Sequence, residues 1–439
     1  YNGLKRDFSS VEDIEIFHKD TLFELNNVNG KGEYERIISN PPYGAWQDYE
    51  RREKLKKKYP NLYVKETYTL FLYKAIKLLK NGGRLVFIVP NTFLHLHRHT
   101  KLRQEVLTKT AVEEISIFPS SFFPDVNYGY AKMCIITLIK TKNISDSFDN
   151  TIKVYSGLKE IDDLNKIRAG NVDNPNFQFY QLDQKNVYKN PDHALLFHDN
   201  PKITKTVASS NITIGDIADC VTGFYSGDDA KYLRKASKNI RRGGKYKVVK
   251  RSQIAENVEK IDDVLEGIDS KKHYVPILKG GSKRYLKENK WYMDWSKSAV
   301  NTYRNDSRAR FQNPNYYFKQ GIGVPMVASG PISGALIENR LFDQSIVGVF
   351  PHNISLLKFL LAYLNSEVCE EFISIINPTA NNSANYIKKI PVAIPPKNKI
   401  KKVNRITTKI LDQLKSRGQF SEQKRDKLNK IFWKIFKEN

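Results

Sequence analysis

The feature that most constrains the fold of this chain is an alternation of strand-like and helix-like segments between Asp13 and Lys140. Such alternation is typical of a largely parallel β-sheet whose strands are joined by crossover helices. We expect the last two strands to pair at the edge of that sheet. An NGG sequence at 81–83 is predicted to cap the helix before it. The segments are, in order, EIFH, ERIIS, TLFLYKAIKLLK, RLVFIVP, TKLRQEVLT, VEEISIF and KMCIITLIK.

The rest of the chain lacks this rhythm and divides by composition into three regions. Periodicity fades over 146–205, where Asn, Asp and Lys dominate, so we predict a connecting region there. Residues 206–396 combine short strand-like pieces, many Gly and aromatic residues and helical inserts, which predicts a mixed α/β domain. Residues 397–439 are predicted to form a basic helical tail, and the alternating segments define a first domain at 1–145.

The charge balance points to a polyanionic partner. Lys and Arg total 72 against 47 acidic residues, a net charge of +25, whereas the hydrophobic and charged fractions, 40% and 27%, are those of an ordinary globular protein. A surplus of this size favours nucleic acid over a small neutral substrate. Lysine that serves only solubility would give the same surplus, so both interpretations stay open at this point.

Cysteine usage and the chain start bear on location. The three cysteines, Cys134, Cys220 and Cys369, have no metal-ligand spacing and no even count, which predicts a cytoplasmic protein with neither a disulfide framework nor a metal site. No apolar run is long enough for a membrane span, so no membrane partner is expected. The chain starts without Met and resembles the tail of a polar helix, so we expect it to begin inside a larger protein.

The sequence Asn40-Pro41-Pro42-Tyr43 directly follows the strand-like ERIIS. In an open parallel sheet, ligands bind at the carboxyl ends of strands. Two prolines stiffen the backbone and remove two N–H donors, so the Asn40 side-chain oxygen and the Pro41 carbonyl form a pair of acceptors for one exocyclic amine. Tyr43 offers a flat face for stacking of the base. The alternative is a rigid strand-to-loop turn without catalytic meaning.

Taken together, several motifs resemble those of the amino-group DNA methyltransferases of the TaqI-like class, and the lysine-rich detail resembles their clostridial orphan members. The resemblance covers essentially the whole chain and is specific over 13–142. It implies a Rossmann-like, AdoMet-dependent α/β domain, a target-recognition domain, and methyl transfer from S-adenosylmethionine to the N6 of a flipped adenine in double-stranded DNA. The motifs are DTLF, SNPPYG, TLFLYKAIKLLKNGGRLVFIVPNTFL, KLRQEVL, SSFFPDV and KMCIITLIKTK.

The resemblance also assigns roles within the first domain. Asn40 and Pro41, stiffened by Pro42, would bind the target amine, with Asn40 also facing the cofactor, and Tyr43 would stack on the base. Asp20 matches the acidic position that contacts the adenine of the cofactor. By spacing alone, a solvated loop residue or a helix N-cap is the better explanation of Asp20.

Two departures from the family pattern limit these assignments. The Gly-rich FxGxG loop and the acidic residue for the cofactor ribose are missing upstream of DTLF, and the GKG at 30–32 precedes a strand rather than following one. We therefore expect an N-terminally truncated domain that binds the cofactor weakly on its own. Leu138 occupies the position of the second base-stacking aromatic residue, so Tyr128 or Tyr130 is predicted to replace it. Both could equally be ordinary strand-edge tyrosines.

The segment 231–251 carries the strongest local charge, with ten basic residues and no acidic one. Its glycines and its position after VTGFYSGDDA, which resembles the start of a TaqI-like recognition domain, favour contact with DNA phosphates over a merely solvated surface. The tail from Lys401 to Asn439, with a net charge of +8 from 12 basic and four acidic residues, either grips DNA or packs on the protein with a solvated lysine face. The predicted phosphate-contacting residues are Arg234, Lys235, Lys238, Arg241, Arg242, Lys245 and Lys247.

The sequence thus predicts a monomeric DNA adenine-N6 methyltransferase without a metal, and three other interpretations stay open. The chain could be the methylase and specificity part of a single-chain restriction-modification enzyme. It could methylate protein glutamine or RNA, against which the large basic second domain argues. It could also be a non-catalytic DNA-binding protein with a decayed methylase fold, against which the intact residues 40–43 argue.

Overall fold

The computed structural model of the protein describes several stretches of the chain, which form two compact units, 1–199 and 200–439. Each unit has its own architecture. The described residues are 18–25, 34–44, 48–123, 132–171, 175–197, 201–240, 243–281, 283–327, 331–377 and 381–438.

The first unit is an α/β structure built on one six-stranded sheet. Its strands are β1 (Tyr34–Ser39), β2 (Leu79–Pro90), β3 (Thr110–Pro119), β4 (Lys132–Lys140), β5 (Thr151–Ser156) and β6 (Gln178–Asp183). Its helices are α1 (Tyr49–Lys58), α2 (Thr67–Leu78), α3 (Thr100–Lys109), α4 (Ile144–Phe148), α5 (Asp162–Arg168) and α6 (Gln184–Lys189).

The strands of this sheet run in the order β1-β2-β4-β3-β5-β6. Parallel pairing of β1 with β2 and of β3 with β5, and antiparallel pairing of β4 with both β2 and β3, give β1, β2, β3 and β5 one common direction. The largely parallel sheet is thus confirmed. The β3–β4 pair forms as expected, but its position at the sheet edge was wrong, because β5 and β6 continue the sheet beyond β3.

The expectation of a connecting region at 146–205 is wrong for its two strands, β5 and β6. Ile152 and Val154 of β5 are fully buried, so this strand belongs to the core of the first unit. A buried polar residue helps to hold this end of the sheet: the Gln184 amide donates hydrogen bonds to the carbonyls of Leu107 and Thr110 at 2.9 and 2.7 Å. Because polar residues make up much of this region, its composition resembled that of a loop.

The helix before the NGG sequence also ends differently from the expectation. Helix α2 ends at Leu78 without help from the glycines, which lie inside the extended run of β2. The pairing of β1 with β2 jumps from Tyr34–Leu79 to Arg36–Arg84, so 80–83 bulge out of the ladder. Gly82 has a φ of +78°, which explains why the bulge contains glycine.

Helix α2 and the central strands form the main core of the first unit. Tyr68, Leu72 and Ile76 share one face of α2 and are buried against strand residues such as Leu85 and Phe87. Burial of a large apolar side chain contributes about 1.5–3 kcal/mol to stability. This core fixes the carboxyl ends of β1 and β2, where the sequence predicts the site.

The second unit contains two four-stranded sheets, ordered β13-β9-β10-β8 and β12-β11-β14-β7. Its strands are β7 (Ala218–Thr222), β8 (Leu233–Lys235), β9 (Tyr274–Leu278), β10 (Trp291–Asp294), β11 (Gly321–Pro325), β12 (Ala335–Ile337), β13 (Leu341–Phe342) and β14 (Ile346–Pro351). Its helices are α7 (Pro201–Ser209), α8 (Ile214–Ile217), α9 (Asp229–Tyr232), α10 (Ile261–Leu265), α11 (Lys297–Asn305), α12 (Leu357–Tyr363), α13 (Glu367–Ile376), α14 (Ala384–Ile387), α15 (Lys397–Arg417) and α16 (Glu422–Glu438).

The basic tail is helical, as the sequence predicts, and it belongs to the fold of the second unit. Its apolar residues are buried: Phe432 is fully enclosed and its ring lies 5.4 Å from that of Phe359 of α12. Gly418 ends α15 with a φ of +70°, a conformation that favours glycine. The predicted class, an α/β domain followed by a mixed α/β domain and a helical tail, is therefore confirmed. Among the described helices, none combines the length and apolar character that a membrane crossing requires.

Candidate functional site

The residues from Asn40 to Tyr43, hereafter the target loop, begin where β1 ends at Ser39. Because β1 and β2 are parallel, the target loop lies at the same sheet edge as the residues that follow β2. Asn40 and Pro42 are exposed, Pro41 is buried and Tyr43 is half-buried. The loop thus stands where parallel α/β sheets bind ligands.

Hydrogen bonds hold the target loop in shape. The Tyr43 hydroxyl donates to the side-chain oxygen of Asn40. The Thr67 hydroxyl, at the start of α2, donates to the Pro42 carbonyl at 2.6 Å. Chemically, the carbonyl of Pro41 and the second lone pair of the Asn40 amide oxygen can each accept a further hydrogen bond.

A buried polar network lies behind the target loop. The ring of fully buried Tyr68 meets the Tyr43 ring edge-on, at a centroid distance of 6.4 Å. The Tyr68 hydroxyl donates to a Glu66 carboxylate oxygen at 3.3 Å, and His99 Nε2 lies 2.8 Å from the same oxygen. Arg98 pairs with the other oxygen. The Glu66 carboxylate therefore connects the start of α2 with the start of α3.

Burial decides the charge state of this network. His99 is 1% exposed, and burial lowers the pKa of its imidazole although the Glu66 carboxylate acts to raise it. Both the Glu66 carboxylate and the Arg98 guanidinium lie against the Nε2 atom of this buried ring. Sequence analysis missed this network, because a Glu and a His far apart in the sequence give no pattern that predicts their contact.

Asp20 begins a turn, in which its backbone carbonyl accepts hydrogen bonds from the amides of Phe23 and Glu24. One carboxylate oxygen accepts the Leu22 amide at 3.0 Å, and the other accepts the Arg51 guanidinium at 2.6 Å. The Arg51 hydrogen bond is the main reason why the pKa of this carboxyl lies below its usual value. The side chain stays 28% exposed, so a further hydrogen-bond donor can approach the carboxylate.

The sequence predicts a second aromatic residue that would stack on the target base opposite Tyr43. Tyr128 and Tyr130 lie outside the described residues. Leu138 is fully buried between β2 and β3, so it faces the core and no ligand. Sequence analysis missed Phe122 and Phe123, which follow β3 and pack in the same apolar cluster as Tyr43. Two adjacent aromatic residues directly after a strand were the signal for them.

The basic segment of the second unit is less uniformly exposed than its composition suggests. Lys238, Lys245 and Lys247 are exposed. Arg234 is half-buried and lies over the Tyr274 ring at 5.4 Å. Arg241 and Arg242 lie outside the described residues.

The phosphate role predicted for Lys235 does not fit its position. Lys235 is 8% exposed, and its ammonium group donates to the Gly243 carbonyl at 2.9 Å. The side chain therefore holds the glycine loop together. Sequence analysis could not foresee this, because the pairing of Lys235 with Trp291 in the β8–β10 ladder decides which way the lysine points.

A cavity of about 500 Å³ adjoins the basic segment. Tyr292 and Pro276 lie opposite each other on neighbouring strands and form part of its wall. Arg251, Glu256 and Asn289 bring a guanidinium, a carboxylate and an amide to it, and all three are exposed. These are the groups that read base edges in DNA. Among the described residues, no cluster of His, Cys, Asp and Glu is suited to hold a metal ion.

Known proteins similar to this chain fall in one functional group. Residues 2–123 match the family described as Eco57I restriction-modification methylase. The adenine-specific methyltransferase PglX of Lacticaseibacillus casei (strain Zhang) is 22% identical over 84% of this chain and 31% of its own length. The type II methyltransferase M.AccI of Acinetobacter calcoaceticus is 28% identical over 37% of this chain and 30% of its own length. The chain thus spans about a third of the length of these curated relatives.

The fold has a counterpart among solved structures. The Type IIL restriction-modification enzyme MmeI, solved in complex with DNA, aligns with 92% of this chain and 54% of its own chain, at a TM-score of 0.54 and 12% identity. This likeness concerns the fold alone. Residues 2–123, which include the target loop and Asp20, are thus similar to the Eco57I restriction-modification methylase family, and relatives of the chain are named adenine-specific methyltransferases.

Proposed function

We propose that this chain is the methyl-transferring and DNA-recognising part of a DNA adenine-N6 methyltransferase, with S-adenosylmethionine as methyl donor. The observation that carries the proposal is the target loop, which presents paired oxygen acceptors beside an aromatic face at the carboxyl end of a parallel strand. The match of 2–123 to a methylase family and the names of the relatives support it.

The target loop activates the amine by orienting its lone pair. The exocyclic amine of adenine is a poor nucleophile, because its lone pair is delocalised into the ring. The Asn40 side-chain oxygen and the Pro41 carbonyl accept its two N–H groups and favour a tetrahedral nitrogen with a localised lone pair. When bound, the cofactor supplies an electrophilic methyl group on a sulfonium. As the new N–C bond forms, the C–S bond breaks, and the amine proton leaves to solvent.

The proposal requires that the target adenine leaves the duplex. The ring of Tyr43 stacks on one face of the flipped base, an interaction worth about 1–3 kcal/mol. For the opposite face, Tyr128 and Tyr130 stay predictions, and Phe122 or Phe123 is a further candidate because both pack in one cluster with Tyr43. The buried ring of Tyr68 supports Tyr43 from behind.

We assign DNA recognition to the second unit. Lys238, Lys245 and Lys247 contact phosphates, together with Arg241 and Arg242 as the sequence predicts, and the groups of Arg251, Glu256 and Asn289 at the adjoining cavity read bases. The resemblance to TaqI-like recognition domains is part of this proposal. So are action as a monomer and a cytoplasmic location, with which the three free, buried cysteines agree.

Methyl transfer to unmethylated genomic DNA tests the proposal. The natural gene product that contains this chain is incubated with labelled S-adenosylmethionine, and the nucleosides are then separated. We expect label in N6-methyladenine for the wild type and none for Asn40→Ala, which should still bind duplex DNA. Tight DNA binding without label in the wild type would instead indicate a non-catalytic DNA-binding protein. Equal loss of binding and methylation in Asn40→Ala would contradict the proposed role of Asn40 as an acceptor for the target amine.

A single-chain restriction-modification enzyme is the second candidate, because the family matched by 2–123 is named for restriction-modification methylases. Incubation of the same gene product with Mg²⁺ and unmethylated DNA distinguishes the two. Cleavage that prior methylation prevents would identify a restriction-modification enzyme. Methylation without cleavage would support a methyltransferase alone.

A further inference from the structure

The contact between α1 and the turn at Asp20 gives one residue a role that the sequence does not suggest. We propose that Arg51 is a positioning residue, which holds the Asp20 carboxylate in the orientation that accepts the purine amino group of the cofactor. The inference rests on the proposed function, within which Asp20 contacts the cofactor.

The Asp20 carboxylate is held at both oxygens. Oδ1 accepts the Leu22 amide at 3.0 Å, and Oδ2 accepts the Arg51 guanidinium at 2.6 Å. The Asp20 side chain nevertheless stays 28% exposed, and that of Arg51 39%. The carboxylate is therefore fixed in direction yet open to a further donor. Without Arg51, the Leu22 amide would hold only Oδ1, and the carboxylate would lose more conformational entropy on binding a ligand.

Helix α1 is itself anchored to the turn. The Tyr59 hydroxyl, directly after α1, donates to the Leu22 carbonyl at 2.6 Å, and the Lys58 ammonium donates to the Phe23 carbonyl at 2.7 Å. The Arg51 guanidinium and the Lys58 ammonium also lie over the Phe23 ring, at 5.1 and 5.4 Å. Arg51 thus reaches Asp20 from a helix whose other end grips the same turn.

The start of α1 fixes Arg51 as well. Asp48 caps the helix, and its carboxylate accepts the Arg51 amide at 2.6 Å. Tyr49, the first residue of α1, lies five positions after Gly44, next to the target loop. The helix that carries Arg51 thus begins close in sequence to the loop that is proposed to contact the amine.

Binding of two nucleoside thioethers tests this role without any methyl transfer. S-adenosylhomocysteine carries the purine 6-amino group, whereas S-inosylhomocysteine has a carbonyl oxygen in its place. Calorimetric titration of the natural gene product gives the dissociation constant of each. A hydrogen bond to a charged group contributes more than a neutral one, so we expect the wild type to prefer the adenosyl compound by about tenfold or more.

Variants then locate the source of this preference. We expect Arg51→Gln to reduce the preference for the adenosyl compound to within about threefold, and we expect the same of Asp20→Ala. The double variant should reduce this preference no further. Arg51→Lys keeps the charge but loses the planar guanidinium, so its preference should lie between those of the wild type and Arg51→Gln. Lys54→Gln is the matched control, because Lys54 lies on the same helix and forms an ion pair with Glu50, in which both side chains are exposed.

The results separate the inference from the function on which it rests. Arg51→Gln that weakens both compounds equally, or effects of Arg51→Gln and Asp20→Ala that multiply, would overturn the role of Arg51. A wild type that binds both compounds equally would remove the cofactor contact of Asp20, and the role of Arg51 with it, while methyl transfer could still be measured. A wild type that binds neither would count against the proposed function as a whole.

Discussion

Single hydrogen bonds determine the geometry of the candidate site. The target loop is held by the Tyr43 hydroxyl on Asn40 and by the Thr67 hydroxyl on Pro42. Because two prolines already restrict the loop backbone, few further contacts are needed to fix it. The Thr67 contact has the clearer consequence, since Thr67 takes part in no proposed contact with the amine.

Replacement of Thr67 by Val should slow methyl transfer without weakening binding. Val keeps the shape of Thr but cannot donate to the Pro42 carbonyl, and the loss of one neutral hydrogen bond corresponds to a rate about 2- to 10-fold lower. Single-turnover methyl transfer measures this rate, and DNA titration checks the affinity. Thr67→Ser, which restores a hydroxyl, should recover most of the rate. An equally slow Thr67→Ser would show that side-chain packing, rather than the hydrogen bond, matters.

Sequence could predict those site residues that are neighbours in the chain. Asn40 to Tyr43 lie together because they are consecutive, and the strand before them set their position. The pair Asp20–Arg51 is separated by 31 residues, and the pair Glu66–Arg98 by 32. Such pairs form because helices fold back onto the sheet, and no local pattern in one sequence encodes them.

At the scale of elements, β5 and α5 show how a polar region becomes part of the sheet. The fully buried carboxylate of Asp163, in the first turn of α5, accepts the amides of Lys159 and Glu160 at 2.9 and 3.1 Å. It also accepts the Asn176 amide group, which lies just before β6, at 3.0 Å. One carboxylate thus organises the connection from β5 to β6.

The stability that Asp163 contributes should disappear in acid. Burial alone would raise the pKa of this carboxyl, but the hydrogen bonds from Asn176, Lys159 and Glu160 lower it to about 2, from an ordinary value of 3.8. A lowered pKa stabilises the folded state above about pH 4, and this stabilisation is lost as the pH falls towards 2. The difference in free energy of unfolding between the wild type and Asp163→Asn should therefore be constant from pH 7 to about 5 and shrink below pH 4.

Denaturant titrations at several pH values measure this difference. Asp162→Asn is the control, because the Asp162 side chain is 62% exposed and contacts Lys166 at 3.4 Å and Asn165 at 3.1 Å near the surface. It should show little effect at any pH. A difference for Asp163→Asn that stays the same down to pH 3 would contradict the assigned role.

Sequence predicted most of the strands and helices of the first domain but not where the sheet ends. β2, β3 and β4 carry long apolar runs and were found, and β1 was found from its shorter ERIIS segment. β5 and β6 lie between polar loops, and they join the sheet because β5 pairs with β3 and β6 pairs with β5. The β4 position between β2 and β3 likewise depends on pairing at long range.

At the scale of the whole molecule, the net charge does not determine which basic residues are exposed. The net charge of +25 predicts attraction to a polyanion but does not say which lysines contact it. In the second unit, exposed Lys247 and buried Lys235 are close in sequence yet differ in environment. Composition could identify the basic segment, whereas only the fold separates these two residues.

A pair of variants uses this difference. Lys247→Gln should reduce the dependence of DNA affinity on salt, lowering the slope of log K against log salt by about one, without a change in melting temperature. Lys235→Met should lower the melting temperature and leave the slope unchanged, because the Lys235 ammonium donates to the Gly243 carbonyl. Fluorescence anisotropy at several salt concentrations gives the slopes. The reverse pattern would assign the phosphate contact to Lys235.

The packing of the tail helices has a consequence for protein engineering. Phe432 and Phe436 of α16 lie against Phe359, Tyr363 and Phe372 of α12 and α13. A transplant of the second unit between relatives could be used to exchange the DNA specificity that is proposed for it. Such a transplant would have to include α15 and α16. A transplant that stopped before Lys397 would expose the apolar surface of α12 and α13 to solvent and would be prone to aggregate.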